Sequence, residues 1–117
     1  MSALDKFGKF MVTNFREKAL EQNEMLLKGF LKGKAVQDLQ NQIMALPESE
    51  KRLIRRVVID LLDTAMHDFL FALQDSHDRG TGIEITVDGE NVAKVSGMLH
   101  GEHLGEKGWI TRFGRSV

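Results

Sequence analysis

From Glu48 to Arg79 the chain runs for 32 residues without a Gly or a Pro. Nothing in that stretch breaks a helix. Its apolar side chains recur at helical spacing. At about 100° per residue, Ile54, Val57, Val58, Leu61, Leu62, Ala65, Met66, Phe69, Ala72 and Leu73 span more than half of the circumference. The polar strip is narrow, with Arg56, Asp60, Asp63, Thr64, His67 and Gln74. A rod this apolar needs cover on at least two sides, so the pattern predicts a domain built around one long central helix. Gly80 is its expected stop.

Two shorter helices are expected ahead of it. Residues 4–28 carry Leu4, Phe7, Met11, Phe15, Ala19 and Leu26 on one stripe, with Val12 and Met25 flanking. Gly29 and Gly33 interrupt the pattern. Ala35, Leu39, Ile43 and Leu46 then mark a second helix, which Pro47 ends because the residue before a proline is pushed out of the helical region. After Gly82 the period changes to two. Ile83, Ile85 and Val87 alternate with Glu84 and Thr86, and Asp88-Gly89 is the favoured two-residue hairpin turn. Residues 90–95 read as the returning strand and 109–113 as a third. The expected fold class is α+β: three N-terminal helices, one of them long and central, followed by a small antiparallel sheet. The 117 residues make one domain, helical over 4–79, with the hairpin and third strand within 83–113.

Cys is absent, which removes disulfides, thiolate metal sites and Cys nucleophiles together. No apolar run is long enough to span a bilayer, and charges come too early for a signal peptide, so a cytoplasmic protein is expected. The net charge of −1 is unevenly laid out. Residues 1–56 carry 11 Lys/Arg against 7 Asp/Glu; residues 57–91 carry 1 against 8; residues 92–117 carry 4 against 2. Folding that interleaves the signs accounts for this. An acidic face for a basic partner is the sharper alternative. Lys51, Arg52, Arg55 and Arg56 form a basic cluster without interleaved aromatics, which fits ion pairing rather than nucleic-acid binding.

The Gly- and His-rich loop over 97–108 is the main site candidate. His100, His103 and Glu102 suit a metal such as zinc, with a further ligand from His67, His77 or Asp63, although the loop lacks a standard ligand spacing. The competing reading is a polar surface loop with Met98 and Leu99 tucked into the core. Asp63 and His67, at i and i+4, suit an ion pair on the helix surface. Ser76-His77-Asp78 spells a triad but cannot form one, because helix neighbours point about 100° apart. Gly29-Phe30-Leu31-Lys32-Gly33-Lys34-Ala35 is one residue short of a P-loop and lacks its hydroxyl. The apolar face with Phe7, Met11 and Phe15 fits a helix folded onto its own core, a homodimer face over 4–28, or a membrane surface, in falling order.

Val87-Asp88-Gly89-Glu90-Asn91, Leu99-His100-Gly101-Glu102 and Gly108-Trp109, with Ile59-Asp60 and His67-Asp68-Phe69-Leu70, resemble a group of small bacterial proteins to which no activity is assigned. The resemblance implies a bacterial, single-domain, cytosolic protein and carries no site residues.

These features favour a non-catalytic protein-interaction module, for example of the immunity type that neutralises a toxin. Its contacts are expected at Asp60, Asp63, His67, Glu106 and Trp109, with another protein or a second copy as partner. No nucleic acid or membrane is expected. The alternatives are a metal-dependent or acid–base enzyme using loop 97–108, and a binder of a small ligand between the long helix and the sheet. No cofactor is expected apart from a metal in that loop.

Overall fold

The structure is a computed structural model that describes residues 1–115. Helix α1 (Ala3–Met11) opens on Ser2, whose hydroxyl accepts the Asp5 N–H at 3.0 Å. It continues without a break through a π-helical segment, Val12–Glu17, into α2 (Lys18–Lys28). The π segment widens the turn by one residue. Phe15, expected on the buried stripe below Met11, is turned outward, while Arg16 and Glu17 enter the core. Gly29, at φ +78°, closes α2 in the left-handed conformation. A 3₁₀ turn (Lys34–Val36) leads into α3 (Gln37–Met44), and Pro47 precedes α4 (Glu48–Arg79).

The α4 rod has the expected bounds. Its 32 residues make a helix of about 48 Å, which matches the 48 Å long axis of the molecule. Its cover departs from expectation. Every buried residue of α4 lies at Met66 or beyond: Met66, Leu70, Leu73, Gln74 and Ser76. Over that half, Phe7, Met11 and Val12 of the first rod meet Met66, Leu70 and Leu73, together with Val92, Ala93, Leu99 and Trp109 from the C-terminal part. The half before Met66 is covered mainly by α2, pinned by Arg55 Nε on both Glu24 oxygens at 2.8 and 2.9 Å, and is reached near its end by Arg16 of the π segment.

The C-terminal part is less β than expected. Asp88 and Gly89 do turn the chain, both with positive φ, but the strands β1 (Thr86–Val87) and β2 (Glu90–Asn91) hold two residues each. The expected second strand over 90–95 is replaced after Asn91 by helix α5 (Val92–Ser96). The Asn91 side chain accepts the Ala93 and Lys94 N–H groups, a cap that starts a helix. The expected third strand is helix α6 (Trp109–Phe113). The molecule is thus mostly helical with one small antiparallel hairpin. Among the described residues, no helix is long and apolar enough to cross a membrane.

Trp109 is fully buried and meets Phe7 edge to face at 5.7 Å. Burial takes it out of the partner contact expected for it. Its indole lies flat against Gly8, where any Cβ would overlap the ring.

Candidate functional site: a histidine cluster on the long helix

The loop expected over 97–108 is folded onto α4. Gly97, at φ +74°, ends α5, and a 3₁₀ turn (Leu99–Gly101) follows. Leu99 is buried, as the core reading of this loop expects, whereas Met98 is exposed. The buried Gln74 amide oxygen accepts the Leu99 N–H at 2.9 Å. The carbonyls of Glu102 and His103 accept the first N–H groups of α6, from Trp109 at 2.9 Å and Ile110 at 3.1 Å. The Thr111 hydroxyl adds a bond to the Gly105 carbonyl at 2.7 Å. The loop is therefore fixed at both ends by groups on α4 and α6.

This folding brings His100 and His103 against His67. The ring of His67 is 5.6 Å from that of His100 and 5.8 Å from that of His103. Phe71, one turn along α4, meets His100 edge to face at 5.0 Å. His103 is fully buried, and neither ring nitrogen has a hydrogen bond of sound geometry; the buried Nδ1 of His100 is also unpartnered. An unmade hydrogen bond at a buried polar atom costs about 1–3 kcal/mol. Burial pushes the His103 pKa down, and the neighbouring charge of His67 adds to that. The Asp63 carboxylate and backbone carbonyl pull weakly the other way. His103 is thus held as the neutral imidazole at neutral pH.

Of the three expected metal ligands, Glu102 is not in the cluster. Its carboxylate accepts the Ser96 hydroxyl at 3.1 Å, which fixes the turn instead. His67 takes its place; of the further ligands the sequence offered, His67 is the one whose ring meets both loop histidines. Among the described residues, no group of three or more His, Asp or Glu side chains is placed to hold a metal ion.

The expected Asp63–His67 pair does not form. Asp63 accepts Arg16 Nε at 2.7 Å, and His67 Nδ1 lies 3.3 Å from Asp68. Arg16, only 2% exposed, also reaches Glu17 at 3.2 Å, and Glu17 accepts the Arg115 N–H at 3.1 Å. This buried ion-pair network ties the π segment to α4 and to the residues after α6. Sequence periodicity missed it because the extra residue of the π turn shifts the buried stripe. Asp60 and Glu106 are exposed. Ser76 is structural: its hydroxyl bonds to the Thr81 hydroxyl at 2.7 Å and accepts the Ile83 N–H at 3.1 Å.

Two grooves mark the surface. A groove lined by Asp60, Asp63, Thr64, His67 and Leu104 opens beside His67. A second, almost wholly apolar groove of about 410 Å³ lies between α1, Phe69 and the hairpin, lined by Lys6, Phe7, Phe10, Met11, Phe69, Ile85 and Val87.

No family model, curated protein or solved structure matches this chain.

Proposed function

We propose that this chain is a self-associating protein-interaction module, in which a second copy covers the bare half of α4. The observation that carries this reading is the exposure of Leu53, Val57 and Leu61, at 55%, 47% and 60%. They fall on consecutive turns of one helix, and Ile54, Val58 and Leu62 beside them are only half-buried. Apolar faces of this extent on a soluble domain mark interaction sites.

The surface area supports a second copy. A compact monomer of 13.2 kDa exposes about 6,400 Å², whereas this chain exposes 7626 Å². The surplus, on the order of 1,000 Å², resembles the ~800 Å² that each partner buries in a standard interface. The radius of gyration, 16.9 Å, likewise exceeds the roughly 13 Å of a compact chain of this length. Charge supports an antiparallel pairing. Arg52 and Arg56 precede the centre of the face and Asp60 follows it, so reversal sets the basic end of one copy beside the acidic end of the other. A parallel pair would set like charges together.

Sedimentation velocity over a wide concentration range tests this. Twice the chain mass is expected, and Leu61→Glu should return the monomer. A monomer at every concentration, or a dimer indifferent to Leu61→Glu, overturns the reading and leaves the face to a different protein.

The apolar groove beside the hairpin supports a second reading, a small apolar ligand held between α1, α4 and the hairpin. Its volume lies in the range of ligand sites. A thermal-shift screen tests it, because a ligand of the folded state raises the unfolding temperature by mass action.

A further inference from the structure

We infer that the docking face of α4 runs past its bare half to Phe71, and that a second copy lies on it antiparallel in one register, with Leu53 of each copy on Phe71 of the other. The inference rests on the self-association reading and shifts the centre of its face from Val57 to the turn at Leu62. The bare half alone is short. Leu53 to Leu61 spans about 12 Å of helix, whereas a standard interface engages about 20 residues a side. The exposed row does not stop at Leu61. Leu53, Val57, Leu61, Thr64, Asp68 and Phe71 are all exposed. At about 100° per residue they fall within a quarter of the circumference. Their spacings of four and three make a seam along which two helices cross at a shallow angle, about 20°. Contact can then persist over the roughly 27 Å from Leu53 to Phe71.

Reversal fits this row to itself. With Leu53 on Phe71, Val57 faces Asp68 and Leu61 faces Thr64. Arg56, next to Val57 and exposed, comes beside Asp68 of the second copy, which is exposed too. In the longer face Asp68 therefore replaces Asp60 as the acidic partner of the basic end. A parallel pair would set Asp68 on Asp68. Thr64 is small, but the exposed Leu104 lines the same groove with Asp60 and His67. It gives Leu61 of the second copy an apolar seat. Phe71, 50% exposed, is held in place for its contact. His100 meets its ring edge to face at 5.0 Å, and the turn that carries His100 is fixed by the Leu99 N–H on Gln74. An aromatic anchor already fixed in this way loses little freedom on binding.

The chain has no Cys, so introduced thiols report position without background. Full-length Leu53→Cys mixed with Phe71→Cys should cross-link under mild oxidation, because facing seam positions bring their thiols within disulfide reach. Leu53→Cys alone should not. If Phe71→Cys disturbs the loop, the charge pair still tests the register. Arg56→Glu and Asp68→Arg change exposed side chains only. Each should raise the Kd of the dimer about three- to ten-fold by sedimentation equilibrium, and the double variant should regain the wild-type Kd. A dimer that links Leu53→Cys to Leu61→Cys, or fails to link Leu53→Cys to Phe71→Cys while both variants are folded, overturns the register and leaves self-association standing. So does a double variant as weak as its two singles combined. A monomer at every concentration removes self-association and the register with it.

Discussion

Gly8→Ala sets two effects of opposite sign against each other, and the structure says which one wins. Gly8 lies inside α1, where Ala is the better helix former by about 0.8–1.0 kcal/mol. On an exposed helix the substitution would stabilise. Here the new Cβ falls onto three atoms of the Trp109 indole. The indole is buried, rigid and held by Phe7 on another side, so it has little room to yield. Overpacking of this kind costs about 1–3 kcal/mol, and overlap with ring atoms belongs at the upper end. The net expectation is a loss of about 2 kcal/mol, or roughly 8 °C in Tm for a domain of this size. Trp109 is the one Trp and there is no Tyr, so intrinsic fluorescence reports on this packing directly. Urea titration should show a lower midpoint with an unchanged slope. A cycle with Trp109→Phe, read by circular dichroism, should show the smaller ring tolerating the added methyl group, with a coupling above about 0.5 kcal/mol. A Gly8→Ala protein as stable as the wild type, or more so, would refute the described contact between α1 and α6.

Three further outcomes are expected. Truncating Leu61, which is 60% exposed, to Ala removes roughly 1–1.5 kcal/mol of burial from each copy of the proposed dimer. Its Kd should rise about 30- to 150-fold by sedimentation equilibrium, with the thermal stability of the dilute monomer unmoved. Arg16→Met removes the guanidinium that Glu17 and Asp63 share and should cost about 3 kcal/mol in urea unfolding; a neutral result would show that the network contributes nothing net. Arg112, hydrogen-bonded to Asp5 at 2.9 Å, holds that carboxyl below its ordinary 3.8. The folded state therefore binds fewer protons than the unfolded chain near that pH. The contribution is full above the ordinary value and is lost as pH falls through the lower, folded one. Asp5→Asn should flatten that part of an acid titration followed by Trp109 fluorescence, and an unchanged acid limb would count against the pair.

The long helix was legible because 32 residues without Gly or Pro leave one regular structure open to them, and Asp88-Gly89 was legible because both residues accept positive φ. The cover of α4 was not legible. Periodicity reports which side chains are apolar and is silent on whether the same chain or another one meets them. Residues 92–96 and 109–113 misled because a five-residue helix is too short to display its period. The available signals were caps: Asn91 and Gly97 around one, Gly108 and Gly114 around the other. Within the site, His100 and His103 could be singled out by type and spacing, and His67 only as one of several further ligands. Glu102 looked equal to them in sequence. Its carboxylate instead accepts the hydroxyl of Ser96, six residues away in sequence.

The contact between Phe7 and Trp109 joins residues about a hundred positions apart. Synthesis proceeds from the N-terminus at about 5–20 residues per second, so a nascent chain carries α1 and all of α4 for seconds before Trp109 exists. Over that interval Phe7, Met11, Met66 and Leu70 lack the residues that close over them. Ribosome-bound intermediates should expose this apolar surface and draw on holdase chaperones until the last turn of the core is made.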